Sequence, residues 1–172
     1  TNALVWSWFN GSEGGNALAD VLLGKTNPSG KLPWTMPKTI MDSPAHATNS
    51  FPGDKTVEYK EGILVGYRWF DTKNIAPLYP FGYGLSYTTF AFSDAKANKA
   101  SYDVDETMTV SVTVKNTGKT DGKEVVQLYA SKIDSKIERA AQELKGFQKV
   151  LVSAGKSATV TIQVPVKELA YY

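Results

Sequence analysis

Glu13 is the carboxylate best placed for chemistry in this sequence. It lies in a predicted loop that starts at residue 7, between an apolar run at residues 3–6 and a helix that opens at Gly14. Open α/β sheets bind ligands in loops of this kind. Glu13 is therefore predicted to contact a ligand or to border a cleft. Two other roles stay open: a negative charge is favourable at a helix N-terminus, and acid catalysis would need a second carboxyl group at a set distance.

Aromatic side chains could supply a flat binding surface beside this carboxylate, because the apolar faces of sugars stack on aromatic rings. Trp8 and Phe9 share the loop with Glu13, and the three residues are predicted to bind substrate together. The alternative is burial, since aromatic residues more often fill cores or domain contacts. The same choice applies to the other aromatic candidates, which are Trp6, Trp34, Tyr67 and Trp69.

The remaining candidates point to structure rather than to chemistry. Glu61 and Arg68 are predicted to form an ion pair, since the arginine fork suits a carboxylate. His46 is the only histidine and cysteine is absent, so no metal site is predicted. The glycines of residues 11–15 do not follow the GxGxxG pattern, which argues against a phosphate loop.

Composition excludes several classes of partner. The net charge is only +2, and 17 of the 19 basic residues are lysines spread along the chain. A nucleic-acid surface would concentrate positive charge on one face, so none is predicted. No apolar run reaches the roughly 18–20 residues of a membrane span. The compartment stays open between cytoplasm, periplasm and secretion, because a lack of cysteine occurs in all three.

The first part of the chain has the pattern of an α/β unit. Residues 3–6 are predicted to form a buried parallel strand. A helix follows, with Ser12 as its predicted N-cap and Gly24 at its C-terminal end. Residues 26–33 form a predicted turn, and residues 32–37 a short edge segment in which two prolines forbid central pairing. Residues 40–54 are polar and predicted to be the most mobile stretch.

Residues 58–90 form a segment that we call the strap. Aromatic residues and proline make up 11 of its 33 positions, and four glycines punctuate it. Glycine and proline fix a path that is neither helix nor strand, while aromatic rings bury large areas. The strap is therefore predicted to be ordered, largely without regular structure, and packed across the α/β part.

From residue 106 the hydrophobic period changes to two, which is typical of antiparallel strands. Strands are predicted near residues 106–115, 124–131, 144–152 and 157–164, with a possible fifth at 89–94. Strands with turn signals between them suggest a β-sandwich.

Long motifs in this chain resemble those of family 3 glycoside hydrolases, in particular the β-glucosidase branch. They read NGSEGGNALADVLLG at residues 10–24, NPSGKLP at 27–33, YKEGILVGYRWFD at 59–71 and PLYPFGYGLSYTTF at 77–90. The tail from about residue 107 is similar to the family's fibronectin type III-like domain. Such a domain has seven strands, so the resemblance implies an incomplete sandwich here, whose last strands would follow the position of Tyr172. The resemblance implies that residues 1–90 end an α/β-sandwich domain and residues 91–172 begin the fibronectin type III-like domain.

The resemblance further implies retaining hydrolysis of terminal β-linked glucose or xylose without a cofactor. The family's catalytic Asp and Glu stand in motifs that match no position here, so no catalytic residue is assigned. The expected partners are the remainder of the enzyme, including its barrel domain, and a β-glucoside or oligosaccharide. The chain alone is expected to be inactive. The alternative is a non-catalytic carbohydrate-binding or cell-surface module, which would need Trp8, Trp34 or Trp69 exposed.

Overall fold

The computed structural model describes residues 3–170. Its first half contains three α-helices: α1, Gly14–Leu22; α2, Pro44–Ala47; and α3, Tyr67–Thr72. Five β-strands follow: β1, Phe90–Ala97; β2, Thr107–Asn116; β3, Gly122–Ala130; β4, Glu143–Val152; and β5, Ser157–Pro165. Two 3-10 helices, Ile40–Asp42 and Val166–Leu169, complete the described elements. None of these helices is long and apolar enough to cross a membrane. The predicted succession of an α/β part and an all-β part is confirmed.

Helix α1 begins at the predicted residue, Gly14, but has a different N-cap. Gly24 has φ +74° just beyond its end, a left-handed conformation that suits glycine and confirms the predicted C-terminal cap. The prediction of Ser12 as N-cap is wrong. The N-cap is Glu13, whose carbonyl accepts the first helical bond from Ala17 N at 2.9 Å. A turn closed by Gly14 N donating to Gly11 O, also at 2.9 Å, includes Ser12, and the cap is the next residue along the chain.

The predicted strand at residues 3–6 does not form. A strand needs a neighbour for its backbone hydrogen bonds, and no residue of the 3–170 range pairs with this run. The predicted edge segment at residues 32–37 does find a partner. Met36 forms an isolated antiparallel bridge with Tyr79, and Leu32 N donates to Tyr83 O at 2.8 Å. The strap therefore supplies the backbone hydrogen-bond partner of residues 32–37.

The β part consists of two antiparallel sheets. Strands β1, β2 and β5 form one sheet in the order β1-β2-β5, and β3 pairs with β4 in the other. The described residues thus contain five strands, as predicted, against seven in a complete sandwich. All boundaries of the predicted strands lie within about three residues of the observed ones.

The core lies between these two sheets. Val112 pairs with Val160 and Met108 with Val164 across β2 and β5, as the period-two pattern predicts. The threonines Thr159 and Thr161 face solvent. The buried cluster draws on four of the five strands and contains Val114, Val126, Val152, Val160, Ile162 and Val164. Partly buried residues packed against it include Phe90, Met108, Val112 and Leu128.

The strap lies against both halves of the chain rather than against the α/β part alone. Its one helix, α3, carries Tyr67, whose hydroxyl accepts a hydrogen bond from Leu144 N of β4 at 2.8 Å. The Tyr67 ring stacks on Phe81 with centroids 4.7 Å apart and meets Tyr129 of β3 edge to face at 5.9 Å. Outside α3 the strap has no helix or strand before Phe90. Regular structure before Phe90 is thus limited to α3, and the β3–β4 sheet is a packing partner that the sequence did not predict.

The predicted pair of Arg68 and Glu61 does not form. Arg68 Nε instead lies 3.9 Å from Glu143 Oε1, in the β part. Glu143 has a closer partner, since Lys145 Nζ lies 2.9 Å from its other oxygen. The hydrogen bond from Lys145 is the main cause that holds the pKa of Glu143 below its usual value. Seven residues of irregular chain fix no mutual geometry, which is why the spacing of Glu61 and Arg68 misled the prediction.

A better buried ion pair joins Lys31 to Glu124. Lys31 Nζ lies 2.8 Å from Glu124 Oε1 and also donates to the carbonyl of Gly84 at 2.9 Å. Only 18% of the Lys31 side chain and 11% of the Glu124 side chain are exposed. The N-terminal turn, the end of the strap and strand β3 therefore meet at one ammonium group.

The two ion pairs predict losses of stability of different size for similar substitutions. Lys31→Met should lower the free energy of unfolding by about 3 kcal/mol, because it leaves the Glu124 charge buried and unpaired. Arg68→Met should cost less than about 1 kcal/mol, because its contact is long and half-exposed and Glu143 keeps Lys145. Urea unfolding of both variants measures the difference. Equal losses would show that the Lys31 pair has no special role.

Adjacent residues of β5 test the register of the core. Val160→Asp should destabilise the protein by about 4 kcal/mol or more, because a carboxylate would replace a side chain that is 3% exposed. Thr161→Asp should change stability by about 0.5 kcal/mol or less, since Thr161 faces solvent. Urea unfolding followed by circular dichroism compares them. Similar damage from both would contradict the assigned faces.

Candidate functional site

The loop of residues 7–13, which leads into α1, forms the candidate site. The residues that precede α1 are exposed from residue 3 onward, and the Phe9 side chain has its full surface in solvent. Trp8 adopts φ +55°, a left-handed conformation that is unusual for a bulky side chain. Strained backbone of this kind concentrates at functional sites. The structure thus presents Trp8 and Phe9 outward, as a binding role requires.

Three tryptophans form a cluster beside this loop. Trp6 lies at its centre, with its ring 5.5 Å from Trp8 and 6.0 Å from Trp34, both in edge-to-face geometry. Trp8 is 53% exposed and Trp34 is 37% exposed. Trp69, in contrast, is buried, and its indole nitrogen donates to Asp42 O at 3.1 Å. The sequence does not distinguish these aromatic residues, whereas the structure separates the exposed cluster of Trp6, Trp8 and Trp34 from the buried Trp69.

Glu13 is exposed at the start of α1. Its carboxylate accepts a hydrogen bond from the side chain of Asn16 at 2.5 Å. It accepts no capping hydrogen bond from a backbone amide of the helix. The carboxylate is therefore held over the first turn of α1 and keeps an oxygen that can accept further hydrogen bonds. Both roles predicted for Glu13 use this position: it lies at a helix N-terminus and it faces outward.

Gly14 allows the loop to fold back against the helix. A Cβ at this position would lie 2.3 Å from Cβ of Asn10, which is closer than any real contact. Only glycine lets Asn10 approach the first turn of α1 in this way. The path of the loop between Trp8 and Glu13 therefore depends on residue 14, in agreement with the glycines of the sequence motif.

The other candidates take structural places. His46 lies in α2, where its Nδ1 and the Ser43 hydroxyl are 2.9 Å apart. Across residues 3–170 no group of three or more His, Asp or Glu side chains is arranged to hold a metal ion. Glu61 has one carboxylate oxygen buried without a hydrogen-bond partner in the described structure.

Sequence reasoning missed the polar residues that join the two halves. Asn27 bridges them, since its Nδ2 donates to Asp121 O at 2.9 Å while its Oδ1 accepts from Tyr87 N at 2.8 Å. Glu124 stands at an inward position of β3, two residues before the buried Val126. A charged residue in an inward register position was the available signal, because such a charge requires a partner.

Comparisons with known proteins agree with this architecture. Residues 1–87 match the glycosyl hydrolase family 3 C-terminal domain, and residues 124–172 match the fibronectin type III-like domain. The thermostable beta-glucosidase B of Acetivibrio thermocellus is 48% identical over 171 residues. That alignment covers 99% of this chain and 22% of the relative. A beta-glucosidase of Bacteroides ovatus is 47% identical, with 99% and 23% covered.

Solved structures show the same likeness. Beta-glucosidase 3B from Thermotoga neapolitana in complex with glucose is 45% identical, with a TM-score of 0.87 over 96% of this chain and 23% of that one. A family 3 beta-glucosidase from Bifidobacterium adolescentis has a TM-score of 0.84 at 44% identity, with 92% and 23% covered. The chain thus spans less than a quarter of the length of these relatives. It belongs to glycosyl hydrolase family 3, as a C-terminal domain segment followed by a fibronectin type III-like domain.

Proposed function

We propose that this chain is the C-terminal segment of a retaining β-glucosidase-like exo-glycosidase. The enzyme would hydrolyse terminal β-linked glucose, or xylose, from oligosaccharides or glycosides. The observation that carries the proposal is the likeness of almost the whole chain to beta-glucosidases at 48% identity. At this level of identity the fold and the packing of the motifs are shared, and the chemistry of the enzyme is inferred with them.

Within this enzyme the chain has a structural role that borders the cleft. Retaining hydrolysis needs two carboxyl groups about 5–5.5 Å apart, one as nucleophile and one as acid/base. No motif of this chain matches the family's catalytic carboxylates, so these groups are proposed to come from the rest of the enzyme. No step of the reaction is assigned to a residue of this chain.

The loop of Trp8, Phe9 and Glu13 is proposed to contribute to substrate binding. The exposed ring of Phe9 offers a stacking face for a sugar, and the Glu13 carboxylate can accept hydrogen bonds from hydroxyl groups. Helix α1 supports this assignment, because none of its residues is buried within the described chain. Its apolar side, which includes Leu18, Val21 and Leu22, is free to pack on the remainder of the enzyme, and such packing would bring the loop to the domain boundary.

Variants of the full-length enzyme test the loop. Phe9→Ala should raise KM for an aryl β-glucoside by about 3- to 10-fold, the range expected for one lost aromatic contact. Glu13→Gln should raise KM and leave kcat within about twofold, because binding and not proton transfer is affected. Glu138→Gln, an exposed acid of the β part, is the matched control. A fall in kcat of about 100-fold or more in Glu13→Gln would make Glu13 a catalytic acid or base.

The isolated chain provides a second test. Residues 1–172 produced alone should not hydrolyse aryl β-glucosides or aryl β-xylosides, whereas the full-length enzyme should. The comparison of the two substrates with the full-length enzyme then decides between glucosidase and xylosidase. Hydrolysis by the isolated, monomeric chain would overturn the proposal and would require a catalytic pair within it.

A non-catalytic carbohydrate-binding module is the second candidate, and the exposed cluster of Trp6, Trp8 and Trp34 favours it. Edge-to-face rings on a surface can form a platform for a sugar. Isothermal titration of the isolated chain with cello-oligosaccharides separates the two candidates. Saturable binding that is lost in Trp8→Ala, together with no dependence of the enzyme's KM on this loop, would favour the binding module.

A further inference from the structure

A small polar pocket lies where three parts of the chain meet. Its volume is about 70 Å³. Thr35 comes from the N-terminal segment, Asp71 from helix α3 of the strap, and Gln142 from the residues just before β4. The rest of the lining consists of Tyr67, Pro77, Pro80, Phe81 and Tyr129. The pocket is therefore part of the joint between the strap and the β3–β4 sheet.

Thr35 is the observation that singles out this pocket. The residue is only 6% exposed. Its hydroxyl Oγ1 is buried and has no hydrogen-bond partner among the residues that the structure describes. A buried hydroxyl without a partner costs roughly 1–3 kcal/mol, and native proteins satisfy nearly all such groups. Thr35 is one of the residues that line the pocket, so a partner held there is within reach of this residue.

Two other polar side chains of the pocket, Asp71 and Tyr129, already form one hydrogen bond each. Asp71 accepts a hydrogen bond from Gln142 Nε2 at 2.8 Å through one carboxylate oxygen, and its second oxygen has no donor in the described structure. The Tyr129 hydroxyl donates to Gln127 Oε1 at 2.7 Å. Burial, with lesser effects of Tyr67 and Asp71, raises the pKa of Tyr129 to about 12, so this hydroxyl keeps its proton. The pocket thus offers an unpaired hydroxyl and an unpaired carboxylate oxygen.

We propose that the pocket binds ordered water that bridges the Thr35 hydroxyl and the free oxygen of Asp71. A cavity needs roughly 10–15 Å³ to hold a water molecule, and a buried water needs two to four polar partners, so the pocket has room for at least one molecule. A sugar ring is too large for this volume. A divalent cation would take six or more oxygen ligands, whereas Asp71 is the single charged residue of the lining. The bound water would make Thr35, Asp71 and Gln142 one hydrogen-bonded unit across the joint.

The direction in which one substitution changes the thermal midpoint of the full-length protein tests the proposal. Thr35→Val keeps the shape of the side chain and removes the hydroxyl. If water is bound, the variant loses a hydrogen bond and leaves the water one partner short, so its thermal midpoint should fall by about 1–2 °C. If the pocket is dry, the same change removes an unsatisfied group and should raise the midpoint. Thr161→Val, on the exposed face of β5, is the control and should have no effect of either sign.

A direct observation makes the test independent of stability. Magnetic relaxation dispersion of ¹⁷O water should count at least one fewer long-lived molecule in Thr35→Val than in the parent protein. Asp71→Asn should keep the count, because its amide oxygen still accepts from Gln142 or from water. A high-resolution crystal structure of the parent protein should show density within hydrogen-bond distance of Thr35 Oγ1.

Three results would overturn the proposal. They are a raised thermal midpoint in Thr35→Val, an empty pocket in the crystal structure, and a saturable stabilisation by NaCl or KCl that choline chloride does not reproduce. The last result would show that a monovalent cation takes the place assigned to water. The outcome is independent of glycosidase activity, because no substrate contact is involved.

Discussion

The ion pair of Lys31 and Glu124 is the contact on which the arrangement of the two halves depends. Glu124 is buried at the start of β3, and a buried carboxylate is stable only with a close cationic partner. Lys31 provides that partner from the N-terminal turn and simultaneously holds the Gly84 carbonyl of the strap. Residue 84 must lack a side chain, because a Cβ there would lie 2.1 Å from the carbonyl oxygen of Gly30. A single charge requirement thus fixes three segments that are far apart in sequence.

Hydrogen bonds around this pair extend the joint into the β core. Asn116, fully buried at the end of β2, accepts from the Thr88 hydroxyl at 2.6 Å and donates to Val152 O at 2.9 Å. The strap ends beside Asn116 and continues without a linker into β1 at Phe90. The predicted domain boundary at residue 90 therefore stays a prediction. The strap forms contacts with the parts on both sides of it.

The β part could be predicted because its information is local. Alternation of Val and Thr along β2 and β5 is sufficient to assign strands and faces, since a one-residue slip would expose every valine. The failures all involve partners that local pattern does not contain. Residues 3–6 have strand composition but no neighbour to pair with in the described chain. Arg68 has the right chemistry for an ion pair, but the fold of the strap brings it to Glu143 and not to Glu61.

The sequence predicts the local backbone geometry at the candidate site but not its surroundings, and the binding role of its residues stays a prediction. The motif from Asn10 to Gly24 places Glu13 at a helix start and requires Gly14, and both follow from backbone geometry within the motif. The sequence does not predict what packs on Phe9 and on the apolar side of α1, because these groups have few contacts within this chain. Exposed apolar surface of this extent is characteristic of an interface. The binding role of Glu13 therefore stays a proposal, since no residue of α1 is buried in the described structure and the chain spans less than a quarter of its relatives' length.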